Sequence, residues 1–259
     1  MKFIHIGDLH LGACPETERG WGEERKKDIE QSLSEVIALA NEEQADFLFL
    51  CGDIFHKKPS LRDLNRLDSF LSQLVCTKVF MIEGNHDFID EGSAYLRYRF
   101  SADVHLFTEK ELTRVYEEAQ NTYIYGLSYH SREITEPLYD EARPGTEEGI
   151  HILLGHGGDG THSPIDFHKL KWSGFDYAAL GHIHSPEMIS EDLIAYGGSL
   201  EPLNRTETGR RGFFLGEITD EKKVVRFLPV NQKSYVEVRV NLTKDIDDPE
   251  ILFGAEEEM

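Results

Sequence analysis

Leu180-Gly181-His182-Ile183-His184 decides how the rest of the chain is read. Two imidazoles stand one residue apart behind the apolar run Tyr177-Ala178-Ala179-Leu180. The run predicts a strand over residues 177–181, with His182 and His184 where it ends and the chain turns. Alternate positions of an extended chain share a face, so both rings can enter one cavity. Neutral imidazole is the commonest protein metal ligand. A single His-x-His pair also occurs on ordinary surfaces, and this one gains meaning from its company.

Four other apolar segments end in the same manner. Residues 2–7 alternate and stop at Asp8-Leu9-His10. Phe47-Leu48-Phe49-Leu50-Cys51, a continuous run of the kind buried on both faces, stops at Gly52-Asp53. Residues 78–82 lead to Glu83-Gly84-Asn85-His86-Asp87, and residues 150–154 lead to Gly155-His156-Gly157. In open α/β sheets ligands gather beyond the carboxyl ends of the strands, so these groups are expected to converge. Two carboxylates, an amide oxygen and four or five imidazoles are too many for one tetrahedral ion. They suit two ions about 3.5 Å apart that share a carboxylate and a hydroxide. Asp53, the second acid, is the natural bridge. Mixed oxygen and nitrogen donors without thiolate fit manganese, iron or zinc better than copper or calcium.

Composition bounds the remainder. The 259 residues suffice for one large α/β domain or two small ones. No run of 18 apolar residues occurs, so no membrane span is expected, and the early polar residues do not read as a signal peptide. Cys14, Cys51 and Cys76 are scattered and odd in number, which suits a reducing cytoplasm. The net charge of −21 argues against a generic phosphate-backbone binder, although bound cations offset carboxylates locally. Residues 13–28, with Gly20, Trp21 and Gly22, read as a loop. Residues 28–43 have helical spacing (Ile29, Leu33, Val36, Ile37, Ala40). Ser60 can cap a second helix whose stripe of Leu61, Leu64, Leu67, Phe70, Leu71 and Leu74 serves either core packing or a dimer face. Residues 93–100 are expected to be helical, with Arg97 and Arg99 near their end. Residues 104–107, 114–117, 122–129, 193–196, 212–218 and 224–230 are expected as strands. Residues 131–149 read as an exposed, mobile connection, and residues 158–168, with His162 and His168, as a loop. Residues 235–242 alternate as a strand, with Val236, Val238 and Val240 on one face, and residues 245–259 form an acidic tail.

Asp8-x-His10, Gly52-Asp53, Gly84-Asn85-His86-Asp87, Gly155-His156 and Gly181-His182-x-His184, in this order, resemble the calcineurin-like metallophosphoesterase superfamily over residues 1 to about 218. The resemblance implies an α/β (α+β) fold, a four-layer sandwich of two mixed β-sheets flanked by helices. Softer motifs resemble the SbcD-type subunit of the double-strand-break repair nuclease. They are Gly52-Asp53-Ile54-Phe55-His56 with Pro59-Ser60, Tyr125-Gly126-Leu127-Ser128-Tyr129, Gly198-Ser199-Leu200-Glu201-Pro202-Leu203 and Tyr235-Val236-Glu237-Val238.

Carried over, one metal takes Asp8, His10, Asp53 and His184, and the other takes Asp53, Asn85, His156 and His182. His86 matches the catalytic histidine, Asp87 is expected to hold its ring in the right tautomer, and His56 matches a position near the scissile phosphate. Lys57, Lys58, Arg205, Arg210 and Arg211 are candidate phosphate contacts. Two divalent ions, manganese first, serve as cofactors. The resemblance implies a cytoplasmic DNA exo- or endonuclease, with a homodimer through the helices after Ser60 and Gly92 and an ABC-type ATPase partner. Residues 1–230 form the nuclease domain. Residues 231–259 are expected to hold the start of a truncated or absent capping domain and an acidic tail, with the region by which that family usually binds its ATPase partner missing. The alternatives are a phosphoesterase of small molecules or phosphoproteins, and a non-catalytic subunit that binds DNA ends or a partner.

Overall fold

A computed structural model describes residues 1–16 and 22–239. Gly20 and Trp21 of the expected loop, Val240 and the acidic tail lie outside the described residues. The elements are β1 (Lys2–Ile6), α1 (Gly22–Glu42), β2 (Phe47–Cys51), α2 (Leu61–Leu71), β3 (Lys78–Ile82), β4 (Val104–Leu106), β5 (Thr113–Glu117), β6 (Thr122–Gly126), β7 (Ile150–His156), α3 (Phe167–Lys171), β8 (Tyr177–Gly181), β9 (Glu187–Ser190), β10 (Ile194–Tyr196), β11 (Gly212–Ile218) and β12 (Lys223–Pro229). They build two six-stranded sheets, in the orders β12-β11-β1-β2-β3-β4 and β5-β6-β7-β8-β10-β9. In the first, β1 to β4 run parallel, β11 runs antiparallel to β1, and β12 runs antiparallel to β11. In the second, β6, β7, β8 and β10 run parallel between antiparallel edges.

The period-two geometry of a strand sorts each apolar run between two cores. Phe47, Phe49 and Cys51 of β2 meet Ile152 and Leu154 of β7 and Tyr177 and Ala179 of β8 between the sheets. Leu48 and Leu50 face α1 and α2 instead. Leu153, Ala178 and Leu180 turn outward, where α3 and residues 138–142 cover them. The result is helices, sheet, sheet, then α3 with its flanking loop, which is the expected sandwich.

Several expectations change in detail. α1 begins at Gly22, earlier than the apolar stripe shows, because its first turn is polar on the surface while Arg25 is buried. Ser60 and Asp63 form a reciprocal capping box at α2. Leu64, Leu67, Phe70 and Leu71 are core residues, and Leu61 is half exposed. Residues 93–100 hold only one 3₁₀ turn, Tyr95–Arg97. Residues 131–149 are anchored: Tyr139 is fully buried, and its hydroxyl accepts from the His156 amide at 2.9 Å. Tyr235 makes one bridge to Thr208, and Val236 and Val238 are exposed without strand pairing, so the expected strand is absent over residues 236–239.

Candidate metal centre

The carboxyl ends of β1, β2, β3, β7 and β8 meet at one edge of the sandwich. The Nδ1 of His156, at the end of β7, donates to the Cys51 carbonyl at the end of β2 across 2.9 Å. Turning side chains into this edge demands unusual backbone. His10, Asp53 and His182 adopt φ of 47°, 46° and 96°, a region non-glycine residues seldom occupy and one that clusters at functional sites. Gly181 is glycine for a different reason: a Cβ there would collide with the Cys51 carbonyl oxygen.

Two adjoining donor sets result. In one, His10 Nε2 lies 3.1 Å from His184 Nε2, and both group with Asp8. In the other, Asn85 Oδ1 lies 3.0 Å from His156 Nε2 and 3.2 Å from His182 Nδ1. Asp53 stands between them, with Oδ2 3.7 Å from His10 Nε2 and Oδ1 3.6 Å from His156 Nε2. The seven expected ligands are therefore brought together, and Asp53 offers one oxygen to each side. Asp8 also accepts the His182 amide at 2.8 and 3.0 Å.

The protonation of these rings shows what the sets fit. Carbonyl and carboxylate oxygens only accept hydrogen bonds. His156 Nδ1 therefore carries its proton toward Cys51, His182 Nε2 carries one toward Asp159 Oδ2 at 2.8 Å, and His184 Nδ1 carries one toward Glu207 Oε1 at 2.8 Å. In neutral His156 and His182 the inward nitrogens are then bare lone pairs, and both point at the amide oxygen of Asn85. Acceptors facing acceptors at hydrogen-bond distance is unfavourable unless a cation lies between them. Outer nitrogens tied to carboxylates or carbonyls are the usual support of ligating histidines. Divalent metals fit both sets.

The electrostatics agree. Burial pushes the Asp8 carboxyl up to about 7 and raises Asp53. Burial also holds His10 and His156 well below the usual imidazole range. Burial opposes charge on His184 too, yet the Glu207 hydrogen bond and the charges of Asp8, Glu207 and Asp53 outweigh it and raise His184 to about 9. The site favours positive charge next to Asp8 and disfavours uncompensated carboxylates.

His86 stands beside the donors. Its Nδ1 donates to the His56 carbonyl at 2.9 Å, its Nε2 lies 4.0 Å from Asp53 Oδ2, and the side chain is 32% exposed. Asp87 does not orient this ring as expected. It is fully buried and accepts from the amides of Gly84 at 2.9 Å and Phe55 at 3.0 Å and from the Tyr95 hydroxyl at 3.1 Å. The main chain of His56 holds the His86 ring instead. Arg211 is no phosphate contact either, because it is buried and donates to the carbonyls of His184 and Thr208. Lys57 and Lys58 line a groove with His56, Asn85, His86, Phe88 and Arg132. Lys58 is paired with Asp90 and lies over the Phe88 ring. Arg205 and Arg210 are exposed and outside that groove. Sequence reasoning passed over Asp159, Glu207 and Arg132. Asp159 carried a signal, a carboxylate among Gly157, Gly158 and Gly160 like the glycine-flanked Asp53. Glu207 and Arg132 sit in polar loops that mark nothing.

The two-sheet sandwich gathers Asp, Asn and His donors at one edge, in two adjoining sets that divalent metals fit. A match over residues 1–186 to the calcineurin-like phosphoesterase model places the chain in that family, whose centre is a pair of divalent ions. The chain is 28% identical to an uncharacterized metallophosphoesterase, YhaO of Bacillus subtilis strain 168; the match covers 94% of this chain, which spans 64% of that relative's length. Among solved structures it is similar to TT1561 of Thermus thermophilus, with a TM-score of 0.51 at 15% identity over 89% of this chain and 99% of that one. It is also similar to a protein described as a candidate 5'-nucleotidase from Staphylococcus aureus, with a TM-score of 0.50 at 17% identity over 99% of this chain and 58% of that one. At these identities the two structures speak for the fold alone. No helix among the described residues is long and apolar enough to cross a membrane.

Proposed function

We propose that the chain hydrolyses phosphodiesters and that its substrate class is DNA. The observation that carries this is the position of His86. Its ring lies beside the two Asp-bearing donor sets, close to His10 and His56, and is a third exposed, in an open groove of about 600 Å³ that Lys57, Lys58 and Arg132 edge with positive charge. With Nδ1 fixed on the His56 carbonyl, a protonated Nε2 is free to give its proton to a leaving oxygen. Divalent ions held by Asp8, His10, Asp53, Asn85, His156, His182 and His184 supply Lewis acidity toward the phosphoryl oxygens and a nucleophilic water at neutral pH. An open groove leaves room for substituents on both sides of a phosphodiester. Cations along it suit a backbone phosphate, and the SbcD-type motifs around Asp53, Tyr125 and Ser199 support DNA. The opposing observation is the net charge of −21 together with Lys58 being committed to Asp90. It favours a phosphoesterase of small molecules.

The test is manganese-loaded protein on end-labelled single- and double-stranded DNA, with bis-para-nitrophenyl phosphate and para-nitrophenyl phosphate alongside. DNA and the diester are expected to be cleaved faster than the monoester. His86→Ala is expected to keep its metal and lose about 10²–10⁴ in kcat. Hydrolysis of the small diester with intact DNA decides for the small-molecule reading, and full activity of metal-loaded His86→Ala removes His86 from the chemistry.

A further inference from the structure

His182 and His184 differ from His156 in what holds their outer nitrogens. His156 lies within β7, and a main-chain carbonyl, Cys51, takes its outer proton. His182 and His184 lie past the end of β8, where no ladder neighbour offers a carbonyl, and each is held by a carboxylate from a later or earlier loop. Those carboxylates are themselves fixed. Asp159 Oδ1 accepts the amides of Thr161 and His162 at 2.8 Å each and lies 3.0 Å from His162 Nδ1. Glu207 accepts from the Leu203 amide and from Asn204 Nδ2, both at 2.8 Å.

We propose that Asp159 and Glu207 are positioning residues, each dedicated to a different ion of the pair. Asp159 sets His182 for the ion shared with Asn85 and His156, and Glu207 sets His184 for the ion shared with Asp8 and His10. The inference rests on the binuclear reading. A neutral imidazole has one proton for two nitrogens, and a ring with the proton on its inner nitrogen cannot ligate. A carboxylate on the outer nitrogen keeps the proton there, leaves the inner lone pair free and raises its basicity. The geometry divides the labour. His182 presents Nδ1 to Asn85, whereas His184 presents Nε2 to His10.

The experiment is a calorimetric titration of metal-free full chain with manganese alone, for the wild type and for Asp159→Asn, Asp159→Glu, Glu207→Gln and the Asn/Gln double variant. Wild type is expected to take two equivalents. Asp159→Asn weakens one step by about 10–100-fold and Glu207→Gln weakens the other by a similar factor. Asp159→Glu recovers toward wild type, and the double variant loses affinity at both steps. Metal-free melting temperatures close to wild type show that each variant is folded. Variants that shift the same step, shift both steps equally or shift neither overturn the assignment. Loss of a third equivalent in Asp159→Asn also overturns it, since Asp159 would then be a ligand itself. A folded wild type that takes fewer than two equivalents overturns the binuclear reading, a result distinct from any pattern among the variants.

Discussion

Asp53 is a carboxylate that the metal-free protein holds at a loss. It is 2% exposed, its φ is 46°, and burial raises its pKa. Left-handed backbone in a non-glycine residue adds strain on the order of 1–3 kcal/mol. Asn at this position keeps the oxygen that accepts the His86 amide at 2.8 Å and removes the charge that burial disfavours. Metal-free Asp53→Asn is therefore expected to melt about 2–4 °C above wild type, the shift that about 1 kcal/mol produces in a chain of this size. Its response to manganese moves the other way. Wild type gains about 2.7 kcal/mol at a hundredfold excess over Kd, and the variant, without its bridge, is expected to lose most of that gain. Calorimetric melting with and without manganese checks both. A metal-free variant that melts lower than wild type would mean that neighbouring imidazoles already neutralise the carboxylate. The same tension runs through His10 and His182, whose backbones are also left-handed. Function here is stored as local instability.

The ends of strands were legible from sequence and the residues behind them were not. Each central strand announces itself as an apolar run, and glycine beside a donor marks where it stops. That is why Asp8, His10, Asp53, Asn85, His156, His182 and His184 could be named together. Roles that depend on which way a side chain turns left no such mark. Asp87 follows His86 directly, and adjacency suggested that it holds the ring. In the fold it turns inward and ties the β3 loop to the β2 loop through Gly84 and Phe55 and to Tyr95. Asp87→Ala strands two amides and a hydroxyl in the interior. It is expected to cost about 3 kcal/mol of stability, measured by urea unfolding, while His86→Ala, whose side chain is a third exposed, stays within about 1 kcal/mol of wild type. An Asp87→Ala protein of wild-type stability with a depressed rate would return Asp87 to the role adjacency suggested. The start of α1, unlike that of α2 at Ser60, was missed for a related reason. The first turn of α1 is polar on its surface and buries Arg25 against Glu201 and the Pro202 carbonyl, contacts that no periodicity records.

The two-sheet plan itself came from family resemblance rather than from pattern, since pairing such as Lys2 with Glu217 joins the two ends of the chain and alternation cannot name a partner. What couples the sheets can be tested at His5. Its Nε2 donates to the Leu180 carbonyl at 3.1 Å and its Nδ1 accepts from the Tyr177 hydroxyl at 2.9 Å, so β1 of one sheet grips β8 of the other. Burial lowers its pKa from 6.5 to about 3. Below 6.5 the unfolded chain binds a proton that native His5 refuses until about pH 3. The unfolded state then holds more protons, and stability falls as pH falls through that window. Above pH 6.5 both states leave the ring neutral, so the full contribution is present there. His5→Gln, which does not titrate, is expected to flatten the decline by up to about 1.4 kcal/mol per pH unit between 6.5 and 3, read from urea midpoints of the metal-free proteins. The difference between variant and wild type isolates His5 from the other buried histidines, which stay in both. Equal slopes would mean that His5 is already hydrated in the state that unfolds, and hence that the sheets part before either one melts. A flattened slope requires them to hold together until global unfolding, which is the condition for a centre whose ligands are divided between β1, β2 and β3 on one side and β7 and β8 on the other.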